Sequence, residues 1–178
     1  MTNVEVRQAA GKVLHQMGIV EPPVPVERIA RQLGAQLRYE PFEGELSGMF
    51  FRKNGEAIIG VNSLHPKVRQ RFTIAHELGH LVLHDQDKFH VDRSFPVLLR
   101  DGASSKAVDQ FEVAANGFAA ELLMPLVMLQ RDFRKEALDF ADDEAARRLA
   151  DRYNVSLQAM VIRLSYLIPS PKPQSRLA

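Results

Sequence analysis

The stretch Arg71–Asp85, RFTIAHELGHLVLHD, constrains this chain more than any other. Apolar residues stand on nearly every side of the helix it predicts. Inside that helix sit His76, Glu77 and His80, with His84 near its end. Polar or ionised groups buried in such a helix need partners, because stranded charge costs several kcal/mol. His76-Glu77-Leu78-Gly79-His80 is an H-E-x-x-H pattern. Positions i and i+4 of a helix lie about 6 Å apart along the axis and on one face. Two imidazoles so placed can reach one metal ion at about 2.0–2.1 Å, the zinc distance. Glu77 stands one step round the helix, where its carboxylate can take a proton from a water beside the ion without binding the ion.

Two histidines leave a catalytic zinc one protein ligand short. His84 is on the same face, but eight residues beyond His76 puts it about 12 Å along the axis, too far for three imidazoles to share an ion. It is expected just outside the ligand set, as a supporting or loop-anchoring group. The longer H-E-x-x-H-x-x-G-x-x-H pattern fails, since Leu83 and Gln86 occupy the places of its glycine and last histidine. A second predicted helix, AVDQFEVAANGFAAELLM, offers Glu112 and Glu121. Nine residues apart, they point to opposite sides, about 900° round the helix. Glu112 has Asn116 at i+4, and a ligating histidine usually donates its other N–H to an oxygen such as an asparagine's. Glu121 has Pro125 there. The spacing favours Glu112, with Glu121 expected as a paired or capping carboxylate. His90 is a further candidate for the ion or for substrate.

Composition removes several alternatives. With no cysteine among 178 residues, disulfides, thiolate catalysis and cysteine-based zinc or iron–sulfur sites are excluded. An apolar share of 46% allows a sizeable core, and a formal charge of +1 argues neither for nor against nucleic acid. The N-terminal segment lacks the basic start and apolar block of a signal peptide, and no apolar run approaches the roughly 20 residues that span a bilayer. The expectation is a cytoplasmic protein with no membrane partner.

The class predicted is α+β: a mostly helical core with a small β-hairpin sheet and a C-terminal helical segment. A helix over about 3–17 is followed by one around Val26, Ile29, Ala30 and Leu33, stopped by Gly34. Strands at Met49–Arg52 and Ala57–Val61 flank Asn54-Gly55, a strong hairpin turn signal. Gln86 to Ala107 reads as a long loop, and short helices fill Leu126 to Leu167. One hairpin strand is a candidate edge on which an extended peptide could add. The domain reading is a core over 1–125, a helical extension over 126–168 packed on it, and a disordered tail over 169–178.

RFTIAHELGHLVLH, then FEVAANGFAAELLMP, preceded by LSGMFF and IIGVN, resembles the ImmA/IrrE metallopeptidases. The resemblance runs from VPVERIARQLGAQL to VSLQAMVIRLSYL. It implies a zincin-like fold and a zinc endopeptidase of gluzincin-like arrangement. Carried over by position, His76, His80 and Glu112 match the zinc ligands and Glu77 the catalytic base, while Asn116 falls beside the glutamate ligand. It further implies a protein substrate, a helix-turn-helix repressor or antitoxin whose cleavage derepresses mobile-element or stress genes. Oxyanion stabilisation would fall to His84, His90 or Tyr39.

DDEAARRLADRYNVSLQAMVIRLSYL itself resembles a helix-turn-helix, with Ser156 as an N-cap. Direct DNA binding is therefore the rival function. Its second helix offers only Gln158, Arg163, Ser165 and Tyr166 to bases and phosphates, and Asp142, Asp143 and Glu144 would repel phosphate. A helical pair that packs on the core or docks a partner fits better. A purely structural zinc site ranks last, since such sites close with four ligands and usually use cysteine.

Overall fold

The computed structural model describes residues 1–44, 46–53, 56–83, 89–92, 110–136 and 143–166. Among the described residues, seven helices and four strands follow in the order α1 (Asn3–Gln16), α2 (Val26–Gln32), β1 (Ala35–Glu40), β2 (Gly48–Lys53), β3 (Glu56–Asn62), α3 (Lys67–Leu83), β4 (Phe89–Asp92), α4 (Gln110–Leu123), α5 (Leu126–Glu136), α6 (Asp143–Tyr153) and α7 (Leu157–Ser165). The class is α+β, as the sequence predicts.

Local chemistry sets most of the boundaries. Thr2 and Glu5 form a reciprocal capping box at the start of α1. After α2, Gly34 takes φ +82, the left-handed conformation that ends a helix at little cost. The β2–β3 register runs up to Lys53↔Glu56 on either side of Asn54-Gly55, the predicted turn, which itself lies outside the described residues. Ser156 caps α7, its side chain accepting from Ala159 N at 3.1 Å.

The four strands make one mixed sheet in the order β1-β3-β2-β4. β1 runs parallel to β3, and the β2–β3 and β2–β4 pairs are antiparallel. Both hairpin strands are therefore internal. The edges are β1 and β4, so the expectation that a hairpin strand forms the edge is corrected. β4 also corrects the reading of Gln86–Ala107 as continuous loop, because four residues of it pair with β2 from Gly48↔Asp92 to Phe51↔Phe89. The remainder of that segment, and the tail over 169–178, lie outside the described residues.

Helix α3 packs on β2 and β3 and on its other side against α4, with α1 behind α4. Every residue from Gln70 to His80 is buried, so α3 is enclosed on all sides, as its all-round apolar sequence requires. Ile59, Val61, Ile74, Leu78, Phe118 and Leu122 form the centre of the core. Leu149, Tyr153, Met160 and Leu164 of α6 and α7 belong to that same buried cluster. The 25 residues Gln110–Arg134 are long and apolar enough to pass for a bilayer span, contrary to the sequence expectation. Most of that stretch is buried in this core, however, and Met124-Pro125 divides it into α4 and α5.

Candidate metal centre

One face of α3 meets the first two turns of α4. The pairings His80–Glu112, Gly79–Ala115 and His76–Asn116 run in opposite directions along the two helices, so α3 and α4 are antiparallel here. The contact is close because Gly79 has no side chain. A Cβ there would stand 2.9 Å from Ala115 Cα and 3.1 Å from its carbonyl oxygen. Backbone nearly touches backbone, and that brings the Glu112 carboxylate onto the histidine pair.

His76 Nε2 lies 3.1 Å from His80 Nε2 and 3.4 Å from Glu112 Oε2, and His80 Nε2 is 3.1 Å from Glu112 Oε1. Donors at about 2.0–2.1 Å from a tetrahedral ion would stand about 3.3 Å from one another. The observed separations match. The rings are 4.8 Å apart at 74°, an edge-on arrangement that points both Nε2 atoms at the same region. His76 Nδ1 donates to Asn116 Oδ1 at 3.0 Å, which places the ring proton on Nδ1 and leaves Nε2 as a lone-pair donor. Burial pushes the Glu112 carboxyl up, but hydrogen bonds and charge from His76 and His80 in their protonated forms outweigh it and hold the group well below the usual carboxylate range; in the neutral forms the same Nε2 atoms are free to ligate. A carboxylate kept ionised beside two imidazole donors is a donor set suited to a divalent cation. Among the described residues these three form the group that could hold a metal ion.

Glu77 is fully buried between α3 and the start of β2. A Cβ at Gly48 would collide with Thr73 Cγ2 and come 3.3 Å from Glu77 Oε1, so the glutamate occupies space that a side chain on β2 would need. The loop leading into Gly48 is fixed by Asn62, whose Nδ2 donates to the carbonyls of Phe42 and Leu46 at 3.1 and 2.8 Å.

The other candidates separate clearly. Glu121 faces away from the pair, with Oε2 2.6 Å from Arg163 Nη2 and Oε1 3.2 Å from Arg7 Nε, the paired carboxylate expected of it. Tyr39 is not brought to the centre. Its ring sits at the β1 edge with Lys67 Nζ 6.0 Å from the centroid, and Lys67 precedes His76 by nine residues, about 13.5 Å of helix. His84 lies outside the described residues, as does the side chain of His90, whose backbone in β4 pairs with Phe50 of β2. Gly48 and Gly79 are the site residues that sequence reasoning missed. Gly79 carried a signal, because glycine within a helix costs about 1 kcal/mol relative to alanine and so calls for a packing reason.

The rival DNA-binding reading loses its main cation. Arg163 of α7 points inward, its Nε donating to Met124 O at 3.0 Å, and the residue is buried.

Comparison with known proteins follows the same line. The radiation response metalloprotease IrrE of Deinococcus radiodurans is 29% identical over 139 residues, which cover 78% of this chain and 39% of that protein. The chain thus spans about two fifths of that relative's length. A family model, Peptidase M78, described as the IrrE N-terminal-like domain, matches residues 30–165, from the end of α2 through α7. That match takes in α3, α4 and the C-terminal helices together, and the chain belongs to this family of IrrE N-terminal-like domains.

Proposed function

We propose that the chain is a zinc-dependent endopeptidase acting in the cytoplasm on a helix-turn-helix repressor or antitoxin, and that cleavage derepresses the genes such a protein silences. The observation that carries the catalytic half is the convergence of His76, His80 and Glu112 at tetrahedral spacing, with Glu77 following His76 in sequence on the same buried helix. The relative named as a metalloprotease supports it. The substrate half rests on the resemblance of RFTIAHELGHLVLH and FEVAANGFAAELLMP to ImmA/IrrE metallopeptidases.

His76 Nε2, His80 Nε2 and the Glu112 carboxylate would hold the ion, which would supply Lewis acidity toward a scissile carbonyl and make water more acidic. Asn116 Oδ1 keeps the His76 proton on Nδ1, so that Nε2 stays free to ligate. The Glu77 carboxylate takes the proton of the attacking water and delivers it to the leaving amide nitrogen as the C–N bond breaks. The wall of β2 at Gly48 limits where that carboxylate can swing.

Glu77→Gln tests the mechanism. Zn²⁺-loaded wild type is expected to cut a helix-turn-helix repressor from the same genome, and the variant to bind Zn²⁺ equally while leaving that repressor intact. Equal cleavage by the variant removes Glu77 from the chemistry. Intact repressors with loaded wild type remove the proposed substrate class.

A further inference from the structure

Both helices of the metal centre are tied, at their ends remote from it, to one C-terminal unit by a buried arginine. Arg71 of α3 donates from Nε to Asn154 O at 3.1 Å and from Nη2 to Val24 O at 2.9 Å. Asn154 is the left-handed residue, φ 52, of the turn joining α6 to α7. Arg163, near the other end of α7, donates to Met124 O where α4 ends and pairs with Glu121 on α4. Arg71 precedes His76 by five residues, about 7.5 Å, and Glu121 follows Glu112 by nine, about 13.5 Å. Because α3 and α4 are antiparallel, these two anchor points fall at the same end of the helix pair.

We infer that α7 and the turn before it are a strut that sets the separation of α3 and α4, with Arg71 and Arg163 as positioning residues for the metal ligands. The inference rests on the metal site proposed above. The two helices touch directly at Gly79 and Ala115, beside the donors. With that contact as pivot, the distance imposed at the far end fixes how the pair tilts, and so where Glu112 stands relative to His76 and His80. Neither arginine could do this as a loose surface cation. Each is at least nine-tenths buried, and a buried guanidinium holds its place only while its acceptors hold theirs. The strut is stiff, because Tyr153, Val155, Met160 and Leu164 around it are all buried, and the Tyr153 hydroxyl donates to the buried Asp132 at 2.8 Å. The inward face of the helix-turn-helix-like pair is thereby occupied with holding the metal helices.

A strut works in series. Cutting either tie releases the far end, and cutting the second releases nothing more. Zn²⁺ affinity by chelator competition therefore tests the idea without a substrate, on the full chain with every protein shown folded by circular dichroism. Arg71→Met and Arg163→Met are each expected to weaken Zn²⁺ binding about tenfold or more, the scale seen for groups supporting metal ligands. The double variant should fall within about twofold of the weaker single, a non-additive cycle. Arg7→Met, which removes the half-exposed outer partner of Glu121, should leave affinity unchanged. Wild-type affinity in both single variants overturns the strut, and so do losses that multiply in the double, since independent packing defects would do that. Should the methionine variants not fold, Arg71→Lys and Arg163→Lys keep the charge, lose the fork, and read the same cycle at smaller amplitude. Wild type lacking His76-dependent Zn²⁺ binding would overturn the metal site itself, and the strut with it.

Discussion

Asn116 Oδ1 accepts the Nδ1 proton of His76 at 3.0 Å, across the α3–α4 contact, while Nε2 of the same ring faces His80 and Glu112. One hydrogen bond thus decides both the tautomer and the aim of the ring. Asn116→Ala is expected to lower Zn²⁺ affinity about 10- to 100-fold with the fold retained. Asn116→Asp should fall much less, since its carboxylate still accepts the proton. Competition with a chromogenic chelator measures both. Equal loss in the two variants would remove the tautomer role.

Gly79→Ala sets helix propensity against packing. In an exposed helix, alanine would gain about 1 kcal/mol. Here the added methyl meets Ala115 Cα at 2.9 Å, and overpacking a core typically costs about 1–3 kcal/mol. The variant is expected to be less stable in urea and to bind Zn²⁺ at least about tenfold more weakly, because α4 must step back with Glu112. A variant more stable than wild type would show that the close approach is not obligatory.

How much was legible in the sequence follows from which signals are local. The i, i+4 histidines and the buried run around them are local, and α3 appears as read. So does the opposition of Glu112 and Glu121, because helical rotation separates them whatever surrounds them; the structure sends one to the histidine pair and the other to Arg163 and Arg7. β1 was missed because its residues beyond Ala35 are largely exposed, leaving no alternation to read. β4 was missed because a four-residue edge strand is held by its neighbour's backbone rather than by its own pattern. Tyr39 is a site candidate on residue type alone, and only its contact with Lys67 shows that it lies beside the first turn of α3, away from the histidine pair. Gly48 and Gly79 matter through what lies opposite them, which no single segment states.

Metal removal should have a thermodynamic signature. If the three donors hold Zn²⁺ as proposed, they do so only in the folded state, since the unfolded chain does not assemble them, and Zn²⁺ at 100 times its dissociation constant would add about 2.7 kcal/mol. For a chain of this size that corresponds to a rise in Tm of about 5–11 °C. EDTA should abolish the rise, and His76→Ala should melt at the same temperature with and without Zn²⁺. An equal rise in that variant would place the stabilising ion elsewhere.

Tyr153 gives the fold a pH dependence of predictable sign. Its ring is fully buried at the end of α6 and its hydroxyl donates to Asp132 Oδ2 at 2.8 Å. Burial, and then the Asp132 carboxylate that its phenolate would have to face, push the hydroxyl's pKa far above the ordinary tyrosine value. A pKa raised in the folded state means the stabilisation is complete below the unfolded pKa of about 10 and is lost as pH rises above it. In that range the unfolded chain gives up a proton that the folded one keeps, so unfolding free energy should fall by about 1.4 kcal/mol per pH unit from this group. Urea denaturation between about pH 8 and 11 should show wild type declining more steeply than Tyr153→Phe once past pH 10. Below it, the variant should be weaker by about 1–3 kcal/mol, because a buried carboxylate oxygen loses its donor. Parallel slopes above pH 10 would mean that Tyr153 ionises as easily in the folded chain as in the unfolded one.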